Sequence, residues 1–241
     1  MKRFRLIILL TLFFGVSKIN AQLTNLKFPD DYNETPIDVL EDVYWMNNYA
    51  TFNLKLRKDC GKIIVNESKY IRPQTFWFVE SEHGTLFGSD GGEWVGGFYS
   101  KPSKGAPVKL RNINVKFLQI DKGDVLLFEV DNNYKKSTFH FVYRDEESSM
   151  LELRQLADLS DIPTYTFHND KGEMYVMGRK NVYKYEVGRF VALFAENIWK
   201  NIIPNDVIQK DDETFIIAVE GGIIEAKLKD KKIRLFTRKI K

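Results

Sequence analysis

A chain of 241 residues with 36 Lys and Arg against 33 Asp and Glu carries a net charge of +3, too even a balance for the clustered basic face that nucleic acid needs. Its one cysteine, Cys60, excludes an intramolecular disulfide. The fold must therefore hold by burying apolar surface, and the length is ample for one domain to do so.

The first residues read as an export signal spanning 1–21. Met1–Arg5 supplies a basic start, Leu6–Val16 an apolar core of eleven residues, and Ile19-Asn20-Ala21 a cleavage site before Gln22. A membrane span needs about 20 apolar residues, so this core is short for an anchor, the rival reading. No other stretch approaches membrane length, and no cysteine stands at the cleavage point to take a lipid. The segment holds four of the basic residues and none of the acids, which leaves 32 against 33 and a net charge of −1. The expected location is the periplasm or the cell surface.

Residues 22–35 lack periodicity and read as an extended arm. Thr35-Pro36-Ile37-Asp38 resembles a helix start, with Thr as N-cap, Pro at the first helical position and an acid in the first turn. Val39, Leu40, Val43 and Tyr44 recur at three- and four-residue spacing and extend a short helix to about Met46.

From residue 48 onward the chain reads as strands. Phe52, Leu54 and Leu56 alternate with polar residues, Lys58–Gly61 turns, and Lys62–Val65 returns. Cys60 sits in that turn with no His or Asp beside it, a bystander thiol rather than a nucleophile or an intermolecular handle. Strands follow at Thr75–Val79, Thr85–Gly88, Trp94–Tyr99, Val108–Leu110, Asn114–Ile120, Val125–Val130, Phe139–Tyr143 and Leu151–Leu153, separated by Gly-, Asn- and Asp-rich turns.

The second half contains a repeat. Glu173–Arg179 (EMYVMGR) and Val182–Val187 (VYKYEV) align without a gap, 41 residues on, with Thr214–Glu220 (TFIIAVE) and Ile223–Leu228 (IIEAKL). Similar opening turns stand at His83-Gly84, Lys122-Gly123, Lys171-Gly172 and Asp211-Asp212, giving units of 39, 49 and 41 residues. That is the length of a four-stranded propeller blade. The expected fold is all-β, about five blade-like antiparallel meanders over 48–241, whose closure into a ring would remove unpaired edges. A barrel or sandwich would also give short, turn-bounded strands. The basic C-terminal run Lys227–Lys241 alternates with Ile and Leu and reads as the wet face of an edge strand, or alternatively as a site for an anionic partner.

Gly88–Tyr99 (GSDGGEWVGGFY), Pro204–Ile208 and Ile217–Ile224 (IAVEGGII) resemble a set of uncharacterised secreted bacterial proteins with propeller-like repeats. Ala21-Gln22 is similar to export signals of the Bacteroidetes. The resemblance covers roughly residues 75–240. It implies a β-propeller, no known activity and no catalytic residue to carry over.

The densest unusual motif is Ser89-Asp90-Gly91-Gly92-Glu93-Trp94. Asp90 and Glu93 could act as the carboxylate pair of a glycan hydrolase or lyase, with nearby His83 joining them. The plain alternative is a tight hairpin whose glycines serve the backbone and whose Trp94 packs between blades. The three histidines, His83, His140 and His168, are too far apart for a metal pair. His140 alternates with Phe139, Phe141 and Tyr143 and reads as an exposed strand residue. No G-x-S-x-G or P-loop is present. Trp45, Trp77, Trp94 and Trp199 suit core packing better than sugar stacking.

The sequence therefore favours an exported binding or interaction module with no catalytic residue, metal or cofactor and with an unknown protein or glycan as partner. An enzyme or an inhibitor-type protein stands as the alternative. The candidate ligand-binding residues are His83, Asp90, Glu93, Trp94 and Asp170, and the expected working face is the set of turns His83–Gly84, Ser89–Glu93, Lys122–Asp124 and Asn169–Glu173.

Overall fold

The computed structural model describes residues 32–35, 52–59, 62–69, 76–92, 96–102, 104–194, 202–219 and 222–238. The signal segment, the expected helix from Pro36 to Met46, Cys60, Glu93 and Trp94 lie outside the described residues. The described chain is all-β, with nineteen strands. No helix in it is long and apolar enough to cross a membrane.

β1 (Tyr32–Thr35) comes first, then the hairpin β2 (Phe52–Asp59) and β3 (Lys62–Lys69). The first meander is β4 (Phe76–Ser81), β5 (Gly84–Ser89), β6 (Gly97–Lys101) and β7 (Val108–Arg111). The second is β8 (Asn114–Asp121), β9 (Asp124–Val130), β10 (Ser137–Arg144) and β11 (Leu151–Leu159). The third is β12 (Pro163–His168), β13 (Met174–Gly178), β14 (Val182–Glu186) and β15 (Arg189–Ala192). The fourth is β16 (Asp206–Asp211), β17 (Thr214–Val219), β18 (Gly222–Lys227) and β19 (Lys232–Arg238), with β1 added beyond β19. Each strand of a meander pairs antiparallel with the next, as short connections dictate. Four-stranded antiparallel meanders in series are the repeating unit of a propeller.

The sequence repeat falls on the second and third strands of the third and fourth meanders, β13–β14 and β17–β18. The opening turns are the first hairpin turns of successive meanders. The repeat seen in sequence is thus one strand out of phase with the sheets.

The chain divides into two compact units. In the unit Ile71–Asn201 the second meander is buried on both faces. Leu118, Val125, Leu127 and Val142 pack with Leu86 and Phe98 of the first meander. Leu126, Phe128, Phe139 and Leu159 pack on the other side with Met174, Val176 and Tyr183 of the third. This double burial explains the nearly continuous apolar runs in β9 and β10. It also corrects the expectation for His140. Alternation along β10 keeps Phe139 on one core, while His140 faces the other side with Val142. A sheet covered on both sides has no wet face, so His140 is buried and its Nε2 lies 2.9 Å from Glu129 Oε2. Trp77, the one tryptophan among the described residues, packs beside Phe117 at 5.8 Å.

In the unit formed by Met1–Tyr70 and Ile202–Lys241, Leu54, Leu56 and Ile63 of the hairpin pack on Ile216, Ala218, Ile223 and Phe236. Two expectations change here. The arm is a strand over its last four residues, and the C-terminal strand is not an edge, because β1 pairs along β19 from Tyr32↔Arg238 to Thr35↔Leu235. Arg234 donates to Glu34 through Nε at 2.9 Å and to buried Glu225 through Nη1 at 3.1 Å. Lys210 closes on Glu225 at 3.0 Å. The basic residue at 234 is engaged in these bonds rather than in covering a bare edge.

Candidate functional site

The Ser89–Gly96 loop is tied down by the second meander. Asn114, at the start of β8, is 1 % exposed. Its Oδ1 accepts the amides of Gly91 at 3.0 Å and Gly96 at 2.8 Å, and its Nδ2 donates to the Gly92 carbonyl at 3.0 Å. A Cβ on Gly96 would lie 2.0 Å from the Ser89 carbonyl oxygen. The glycine at 96 is therefore there for close backbone approach.

Asp90 belongs to the same tie. Its carboxylate accepts from the Gly92 amide at 3.1 Å, from Lys116 Nζ at 3.2 Å and from the Tyr134 hydroxyl. Burial pushes the Asp90 carboxyl up, but the Tyr134 hydroxyl, the Gly92 amide and Lys116 outweigh it, and the net direction is down. Burial and the bond to Asp90 push Tyr134 up to about 12. A carboxyl lowered in the folded state adds stability above its unfolded pKa of about 3.9, and that stability is lost as pH falls through the folded value. The melting temperature of the wild type is therefore expected to fall more steeply than that of Asp90→Asn between about pH 5 and about pH 3. Parallel curves would show that Asp90 contributes nothing to the loop.

His83 does not join Asp90. The two residues lie at opposite ends of β5, whose six residues at about 3.3 Å each separate them by roughly 20 Å. The expectation that His83 joins Asp90 in one site is corrected by this topology, and Glu93 lies outside the described residues. His83 sits in the first hairpin turn beside Glu82, its Nε2 3.8 Å from Glu82 Oε1. Asp170 lies in the matching turn of the third meander, exposed, between Asn169 and Gly172.

At that end of the sheets the second and third meanders leave a cleft of about 550 Å³. Its floor includes Leu126, Phe139 and Met174, all buried, with Leu156 and Tyr185 beside them. Its rim is charged. His168 Nε2 lies 3.3 Å from Asp121 Oδ2 across the two meanders. Lys184 Nζ sits 2.8 Å from Glu173 Oε1 and 3.1 Å from Glu186 Oε1. Asn169 Nδ2 donates to Glu173 Oε2 at 2.6 Å. Lys184 and Asn169 hold the Glu173 carboxyl below the usual carboxylate range. Glu173 and Glu186 hold the Lys184 ammonium well above its ordinary value.

Of the expected opening turns, Lys122–Asp124 and Asn169–Glu173 meet at this cleft, where a Cβ on Gly172 would lie 3.6 Å from Lys122 Nζ. Asp121, His168, Lys184 and Glu186 carry no motif. The signal that could have found them is the alternation Lys184, Glu186 along a strand flanking a repeated turn. The arrangement offers an apolar floor under fixed donors and acceptors, the pattern of a ligand site. Glu173, held below the usual carboxylate range, is suited to accept hydrogen bonds rather than to donate a proton. Among the described residues no group of three or more His, Cys, Asp or Glu is placed to hold a metal ion.

The chain matches no protein-family model and no curated relative. Similar solved structures include a catalytically inactive virginiamycin B lyase from Staphylococcus aureus, 12% identical with a TM-score of 0.42, covering 87% of this chain and 75% of that one. The β-propeller domain of Swd1 from Myceliophteria thermophila is 10% identical with a TM-score of 0.37, covering 67% of this chain and 50% of that one. An extracellular domain of a one-component system from B. thetaiotaomicron is 11% identical with a TM-score of 0.28, covering 65% of this chain and 27% of that one. Scores this low carry no argument about activity, and the blade-like organisation rests on the strand order itself.

Proposed function

We propose that the protein is an exported, non-catalytic binding module whose ligand enters the cleft between the second and third meanders. The observation that carries this reading is the cleft itself. Its floor is apolar, and its rim charges are held in place, Lys184 between Glu173 and Glu186, and Asp121 beside His168. Such a site binds without consuming a proton donor or a nucleophile. The enzyme alternative built on Asp90 is less well supported, because Asp90 is held ionised by three donors and serves the loop. Export rests on the basic start and apolar core of residues 1–16.

The test is a thermal-shift screen of protein purified from the exported fraction, where the first residue is expected to be Gln22. The probes are divalent metals with and without chelator, oligosaccharides, cell-wall fragments and short peptides. A ligand at a hundred times its dissociation constant adds about 2.7 kcal/mol, a rise of roughly 5–10 °C. Leu156→Trp, which fills the cleft whatever the ligand's charge, is expected to abolish the shift. A hit that survives Leu156→Trp places binding elsewhere and defeats the reading.

A further inference from the structure

The turn after β14 is built against its own interest. Glu186 pairs with Arg189, so Val187 and Gly188 are the two central residues of a hairpin turn, with φ of 43° and 78°. Such turns want Asn or Gly first, because a β-branched side chain in the left-handed region is strained. Among the described residues four other non-glycines have positive φ: Lys122, Tyr134, Ser149 and Lys231. Three are polar turn residues, and Tyr134 is held by its hydroxyl on Asp90. Val187 has no such hold, and its apolar side chain is fully exposed. Strain and exposure of this kind mark sites where something outside the fold supplies the compensation. Val187 stands on the lip of the cleft, beyond the apolar floor of Phe139 and Met174.

The charges give the sign of the ligand. Three carboxylates line the cleft, Asp121 from the end of β8, Glu173 from the β12–β13 turn and Glu186 from the end of β14. Two lysines face them, Lys122 and Lys184, and Lys184 lies between two of the carboxylates. His168 is the remaining ionisable side chain of the lining, and counted as neutral it leaves one negative charge over.

Accepting the cleft as the binding site, we propose that it takes a peptide segment that joins apolar to cationic side chains. Val187 covers one apolar side chain, and a cation sits at the carboxylate-rich rim. A peptide reaches both the floor and the lip, which a ligand confined to the cleft does not.

The experiment uses two fluorescent peptides, one alternating leucine and lysine, the other leucine and glutamate, titrated by anisotropy against the purified protein. The lysine peptide is expected to bind and the glutamate peptide not to. Val187→Asn is expected to raise the melting temperature by about 2–4 °C through released strain, yet to weaken the lysine peptide about tenfold. Val187→Ile, which keeps the apolar tip, is expected to retain affinity. Unchanged affinity in Val187→Asn, or no binding of either peptide at millimolar concentration, overturns the proposal. Binding of the glutamate peptide that Leu156→Trp removes overturns the peptide's charge and leaves the cleft as the site. Binding of the lysine peptide that Leu156→Trp leaves intact overturns the cleft as well.

Discussion

Replacing Asp161 with alanine is expected to destabilise the protein by about 3–5 kcal/mol, seen as a lower urea midpoint with little change in slope. Asp161 is fully buried just before β12. Its Oδ1 accepts the amides of Ile162 at 2.7 Å and Arg179 at 3.2 Å. Its Oδ2 accepts the Lys180 amide at 2.8 Å and the Tyr183 hydroxyl at 3.1 Å. Removing the carboxylate leaves four buried or half-buried donors together, each costing about 1–3 kcal/mol when unpaired, before water enters to take some of them. Gly178→Ala tests the same tie from the other side. A Cβ there would lie 2.1 Å from Asp161 Oδ2, and the carboxylate cannot move without dropping its amides. A loss below about 1 kcal/mol for Asp161→Ala would mean that the β13–β14 loop does not depend on it.

Asp161 also shows what a sequence does not reveal. Strands announce themselves by period and by the turns between them, and so β4 to β11 and the β13–β14 and β17–β18 hairpins are legible in the chain. Their sequence signal is local. The residues that tie loops to neighbouring strands act across 18 to 23 positions, as Asn114 does for Gly91 and Gly96 and Asp161 for Arg179 and Lys180. Nothing in a local window separates such an Asn or Asp from an ordinary turn residue.

The same limit governs the site. His83 and Asp90 are close in sequence but sit at the two ends of one strand, because a strand carries its ends apart at about 3.3 Å per residue. Asp121 and His168 are far apart in sequence and face each other, because each closes the first strand of adjacent meanders. The burial of His140 is hidden in the sequence for a related reason. Alternation tells which residues share a face, but not whether a second sheet covers that face. β1 was hidden because four polar residues give no period. Their pairing depends on β19, about two hundred residues away.

Phe139→Ala is expected to cost about 3–5 kcal/mol, measured by equilibrium unfolding, and to alter the cleft at the same time. Phe139 is 1 % exposed and anchors an aromatic cluster. Its ring lies 4.6 Å from Phe128, 5.3 Å from Tyr185 edge-on and 5.7 Å from Phe190. These partners come from β9, β14 and β15, so one ring joins the second meander to the third. Truncation removes the ring's buried area and also the support under Tyr185. The cavity cannot close fully, because the bulge at Phe139 and the pairing of β10 with β9 and β11 fix the backbone. Phe139→Leu keeps most of the volume and is expected to lose about 1–2 kcal/mol. A loss under about 1.5 kcal/mol for the alanine variant would show that the two meanders are joined elsewhere. The comparison matters for binding because the same ring is core from one side and cleft floor from the other. Phe139→Leu is expected to remain folded and still weaken a bound ligand, since the floor it presents is lower and less flat than a ring. A ligand indifferent to that change would sit on the charged rim alone.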